Sequence, residues 1–156
     1  MSDVDHQQLE EFVPRVELQR IDCIECRARS TAQLSPDVEP PTFTTQPSFQ
    51  LRIRTPDEDE RSGWFFIDIR VVIEFEEGDA TVAHRAIYEH PAENEPSVQL
   101  LTKFTNEVAA MHLLPYLREA LADVTRRVFD QPLMIPMIQR GELSFPVPQR
   151  TSTHEA

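Results

Sequence analysis

The stretch WFFIDIRVVIEFEE, Trp64 to Glu77, decides how this chain folds. Phe65, Ile67, Ile69, Val71, Ile73 and Phe75 form an unbroken apolar row. Asp68, Arg70, Glu74 and Glu76 alternate with them, beside Trp64, Phe66 and Val72. Successive side chains of a strand point to opposite faces, so alternation of this length predicts an antiparallel strand with one face against a core. Glu77-Gly78-Asp79 predicts a hairpin, and ATVAHRAIYEH, Ala80 to His90, predicts the returning strand.

Upstream, SFQLRIRT sends Phe49, Leu51 and Ile53 to one side and Gln50, Arg52 and Arg54 to the other, a second amphipathic strand. PDEDERSG after it is a solvated turn. VELQRIDCIECRARST, Val16 to Thr31, predicts a long first strand whose alternation slips. Val16 and Leu18 share one parity, and Ile21 and Cys23 share the other. Such a slip signals a bulge or burial on both faces. Ala32 to Gln46, rich in Pro, Thr and Ser, is a long connection of the kind that is functional or disordered. Residues 1–13 read as frayed or weakly helical.

Downstream of PAENEP the period changes. Leu100, Leu101, Phe104, Val108 and Met111 fit one helical segment; Leu114, Leu117, Leu121, Val124 and Val128 fit a second. Pro115 marks the joint, because proline lacks an amide donor and crowds the preceding turn, so a new helix is predicted from there to about Phe129. Four strands followed by helices predict an α+β domain, with the helices on one face of a meander. The chain then runs into Leu133, Met134, Ile135, Met137 and Ile138, punctuated by Pro132 and Pro136. This tail either completes the core or remains a surface for another chain. Methionine suits the second role, because its flexible thioether adapts to many shapes.

The 156 residues hold 15 Lys+Arg against 27 Asp+Glu, a formal charge of −12 and a pI near 4.8. That balance argues against binding a phosphate backbone and favours basic or electroneutral partners. No apolar run approaches the length that spans a bilayer, and the acidic amino terminus does not read as a secretory signal, so the expectation is a cytoplasmic protein without stable membrane insertion. Thirteen prolines and three glycines leave no G-x-G-x-x-G and no phosphate loop.

Cys23-Ile-Glu-Cys26 has C-x-x-C spacing, but residues three apart on a regular strand face opposite ways, so these thiols are expected to diverge and simply to pack. His84 reads as a partly buried strand residue. No histidine pair, carboxylate pair or nucleophile elbow emerges, and the expectation is a non-enzyme with no cofactor and no metal.

Leu114-Pro115-Tyr116-x-Arg118-Glu119 resembles the Phe-Pro-Tyr-x-Arg-Glu segment that begins the main helix of SecB-type export chaperones. Pro132, Leu133, Pro136 and Met137 resemble that family's apolar, proline-containing segment. Gln19-Arg20-Ile21 and Gln46-Pro47 echo its first strand and the end of its crossover loop, in the same order. The likeness spans about residues 16–145.

The resemblance implies a four-stranded antiparallel sheet with a long helix and a C-terminal helical segment on one face, assembled as a homotetramer, a dimer of dimers. It implies binding of unfolded or export-destined polypeptides without ATP in hydrophobic grooves. On this chain the groove candidates are Phe43, Phe49, Leu51, Leu114, Leu117, Leu133, Met134, Met137 and Ile138. Acidic residues on the exposed sheet face dock the motor SecA in that family; the candidates here are Glu25, Glu74 and Glu76. Two departures bear on this. Thr45 stands where the family carries an aromatic before Gln-Pro, with Phe43 two residues away, and Arg29 stands where a second docking acid is expected. A chaperone dedicated to another client, such as an antitoxin, is the alternative to one that serves the translocase. An adaptor for one folded partner and a small-ligand pocket are the competing classes. The organisation expected is a flexible segment at 1–14, the SecB-like domain at 15–145 and a flexible tail at 146–156.

Overall fold

The computed structural model describes residues 3–31, 46–91, 93 and 95–148. Strands β1 (Glu17–Ser30), β2 (Ser48–Arg54), β3 (Trp64–Phe75) and β4 (Gly78–Glu89) form one antiparallel sheet in the order β1-β4-β3-β2. Consecutive hairpins join β2, β3 and β4. β1 instead pairs with β4, so β1 and β2 form opposite edges of the sheet, and the simple meander expected from the strand count is corrected. Phe43 lies between β1 and β2 in the sequence, outside the described residues.

The alternation in β3 does what its pattern demands. Phe65, Ile67, Ile69, Val71 and Ile73 are all essentially inaccessible. Across the ladder they oppose Tyr88, Ala86, His84, Val82 and Ala80 of β4, while Val71, Ile69 and Ile67 oppose Phe49, Leu51 and Ile53 of β2. Paired residues share a face, so these side chains make one apolar surface, which the helices cover. Burial of large side chains on this scale supplies the main stabilising term.

In β1 the register slips twice, between Leu18 and Arg20 and between Cys23 and Glu25. Each slip is a bulge with one extra residue, Gln19 and then Ile24. The first explains the change of parity read in the sequence: it brings Leu18, opposite Tyr88, and Ile21, opposite Ala86, to the same face. The second corrects the expectation for the cysteines. Cys23 opposes His84 and Cys26 opposes Val82, so both thiols stand on the helix-covered side rather than diverging.

Glu76 and Glu77 make the β3–β4 turn, and Gly78 opens β4. A Cβ at Gly78 would collide with the carbonyl oxygen of Arg29 on β1, and Phe129 packs against the same point.

Ahead of the sheet, α1 (Asp3–Phe12) carries Leu9 into the core at 5% exposure, and Phe12 packs on Phe65 and Phe104. After the sheet, α2 (Val98–Phe104) starts at Ser97, whose hydroxyl accepts from the amide of Leu100 at 3.1 Å. A π-helical turn (Thr105–Ala109) links α2 to α3 (Ala110–Phe129). The expected helix start at Pro115 is corrected: Pro115 lies inside α3, and the irregularity falls at the π turn instead. α3 buries Leu113, Leu114, Leu117, Leu121, Thr125 and Phe129 and ends where Asp130 adopts a left-handed conformation, φ 57°.

Among the described residues 130–148 contain no helix, which corrects the C-terminal helical segment. With Pro132, Pro136, Pro146 and Pro148 lacking amide donors, this stretch runs over the helices as an irregular strap.

Candidate functional site

Three side chains of the helical layer hold the strap by its backbone. The amide of Leu133 donates to Thr125 Oγ1 at 2.8 Å, and that hydroxyl in turn donates to the carbonyl of Leu121 at 2.6 Å. Arg118 spreads its guanidinium over two successive carbonyls, Nε to Ile135 at 3.0 Å and Nη2 to Pro136 at 3.2 Å. Asn106, in the π turn, pairs with Phe145 as a strand would: its Nδ2 donates to the carbonyl at 3.1 Å, and its Oδ1 accepts from the amide at 2.8 Å. These bonds satisfy backbone groups that no sheet or helix serves.

The strap alternates. Leu133 and Ile135 are buried, and Phe145 plugs the core further along. Met134 and Met137 project outward, 61% and 84% exposed, and Val147 is 46% exposed. These side chains leave apolar area in water that burial against another chain would stabilise.

The groove candidates divide accordingly. Met134 and Met137 are accessible, and Ile138 is half-buried against the core. Phe49 and Leu51 are half-buried on β2, the edge strand opposite β1. Leu114, Leu117 and Leu133 lie in the core, at 3%, 0% and 6% exposure, out of reach of another chain while the strap is seated. Tyr116 on α3, 48% exposed, and the double clamp of Arg118 belong to the same region. The motif around Pro115 contains both residues, but only the backbone geometry reveals the clamp.

On the uncovered face of the sheet Glu25 is engaged, accepting from Arg70 Nε at 2.8 Å with Arg27 at 3.9 Å. Glu74 and Glu76 are exposed. Arg85 clasps Asp68 through both guanidinium nitrogens, at 2.8 and 2.9 Å, and lies 3.8 Å over the ring of Phe66. Arg20–Asp22 and Arg29–Asp79 pair on this face as well.

Cys23, His84, Tyr116, Glu119, Asp123 and Pro132 surround a cavity of about 550 Å³ between the sheet and α3. Burial lowers the pKa of His84, partly offset by the charge of Glu119, and burial followed by the neighbouring Cys23 raises that of Cys26. Among the described residues no three His, Cys, Asp or Glu side chains are placed to share a metal ion. No helix among them is long and apolar enough to cross a membrane.

No family model matches the sequence, and no curated protein matches it. Solved structures do. A SecB-like chaperone of Mycobacterium tuberculosis, in complex with a ChAD peptide from the HigA1 antitoxin, superposes with a TM-score of 0.65. It is 18% identical, and the match covers 88% of this chain and 98% of that one. A protein of unknown function from Streptococcus agalactiae superposes with a TM-score of 0.51 at 15% identity, over 78% of this chain and 97% of that one. At these identities the likeness speaks for architecture: the four-stranded antiparallel sheet under a long helix is the SecB-like fold.

Proposed function

We propose that this protein is an ATP-independent chaperone, a holdase that takes up extended apolar segments of unfolded polypeptides along the strap and α3. The observation that carries this reading is the pair Met134 and Met137, held outward on a strap whose backbone is fastened to α3 by Thr125 and Arg118. Fixed backbone and mobile thioether side chains together give a surface that accepts many sequences at low ordering cost. The SecB-like fold, seen elsewhere with a bound peptide, supports the same use.

Assembly as a homotetramer belongs to the proposal, with a solution mass near four times 18.0 kDa as its signature. Purified protein at stoichiometric amounts is expected to delay aggregation of a chemically unfolded model protein without nucleotide, followed by light scattering. Unchanged aggregation across several clients contradicts the reading.

A second reading, a chaperone dedicated to one antitoxin-like partner without translocase docking, has its own support. Glu25 is already paired with Arg70 and Arg27, and Arg29 occupies the place of a second acid, so the first strand offers SecA no free carboxylate at these two positions, although Glu74 and Glu76 remain exposed. The related chaperone was captured with an antitoxin peptide. Competition separates the two: a general holdase releases one unfolded client to another, whereas a dedicated chaperone ignores unrelated peptides.

A further inference from the structure

Lys103 is the only lysine in the chain; the other fourteen basic residues are arginines. Several of those arginines pair with carboxylates: Arg85 with Asp68, Arg70 with Glu25, Arg127 with Asp123 and Arg140 with Glu107. Lys103 does not. Its Nζ is buried and makes neither a hydrogen bond nor an ion pair among the described residues. An ammonium carries three donors and a full charge, and enclosing it without a partner is unfavourable, a cost that an anion seated beside it relieves.

A cavity of about 510 Å³ adjoins it, bounded by Gln8 of α1, Leu100 and Lys103 of α2, and Phe145, Pro146 and Val147 of the strap. Glu107 and Asp5 also line it. Glu107 is already engaged by Arg140 at 2.9 Å, and Asp5 is solvent-exposed, where the high dielectric of water weakens its repulsion. The space greatly exceeds a single small anion, and one wall is apolar. The flexible stem of lysine lets the ammonium swing into the cavity without moving the backbone.

We propose that Lys103 anchors a carboxylate borne by a bound peptide, with apolar residues beside that carboxylate resting on Leu100, Phe145 and Val147. The inference rests on the peptide-binding reading above and gives it a chemical preference: one acidic residue within an apolar segment. This local preference runs against the −12 balance of the whole chain, which by itself favours basic clients.

The test uses two short end-blocked apolar peptides, identical except for a central Glu in one and Gln in the other, titrated calorimetrically into the full-length protein. The Glu peptide is expected to bind about tenfold more tightly, the usual scale for a charge-assisted hydrogen bond. Lys103→Met is expected to abolish that difference without weakening the Gln peptide. Reductive ¹³C-methylation labels only Lys103 and the amino terminus, so the Lys103 signal in NMR is expected to shift with the Glu peptide and not with acetate. Equal affinity of the two peptides for the native protein overturns the carboxylate anchor while leaving the chaperone reading intact, and needs no variant. Failure of both peptides to bind overturns both readings. An equal shift with acetate shows a small-anion site and overturns the peptide as its source.

Discussion

The amide of Leu133 and the hydroxyl of Thr125 lie 2.8 Å apart, and both are buried. This bond pins the first buried residue of the strap to the last turns of α3, and the exposed position of Met134 follows from it. Thr125→Val keeps the shape and removes the hydroxyl, leaving a buried amide without its acceptor. Stability is expected to fall by about 1–3 kcal/mol in chemical denaturation. The amide of Leu133 is expected to lose protection from hydrogen exchange before the β3 amides do; uniform loss across the domain contradicts a locally fastened strap.

Gly78 is fixed by a collision instead of a bond. A methyl group there meets the Arg29 carbonyl oxygen, so Gly78→Ala must push β1 away from the hairpin. A loss of about 1–3 kcal/mol is expected, the range of overpacking, and thermal unfolding measures it. An unchanged midpoint shows that the β1–β4 edge yields freely.

How much of this was legible beforehand depended on whether the governing contact was local. The alternation of β3 announced both its strand and its buried face, because a strand's period is a property of consecutive residues. The parity slip at Leu18 and Ile21 signals a bulge or burial on both faces, and the register decides for the bulge. The second bulge, at Ile24, left no mark in the hydropathy, since the uncovered face accepts Ile24 at 44% exposure; the cysteines therefore looked divergent. Pro115 looked like a helix start, yet tertiary packing of Leu113, Leu114 and Leu117 carries α3 through it. The tail's apolar run was plain to read, but which of its residues face inward depends on distant partners, Asn106, Arg118 and Thr125, that no spacing rule connects to Phe145, Ile135 and Leu133.

Acid should weaken the fold near neutrality. Burial lowers the pKa of His84 and His112 from the usual 6.5, and His112 Nδ1 also lies 2.9 Å from the buried Tyr88 hydroxyl, whose own pKa burial raises. Below pH 6.5 the unfolded chain takes up protons that these native imidazoles resist, so stability is complete above 6.5. It declines as pH falls towards the lowered native values, and the decline flattens once the native rings protonate too. Urea midpoints from pH 7.5 to 5.5 test the sign, and His112→Gln is expected to make the decline shallower. A midpoint that rises on acidification contradicts burial of neutral imidazoles.

The central claim is that the outward methionines of the strap receive foreign chains. Its most direct measurement is the affinity of an unfolded client for the native protein and for the Met134→Glu, Met137→Glu double variant, with mass and melting temperature recorded for both. Both side chains are largely exposed, so the variant is expected to keep its fold and oligomeric state while binding the client at least about tenfold more weakly, the cost of setting two charges against an apolar segment. Equal affinity in a variant of unchanged mass and melting temperature contradicts the account.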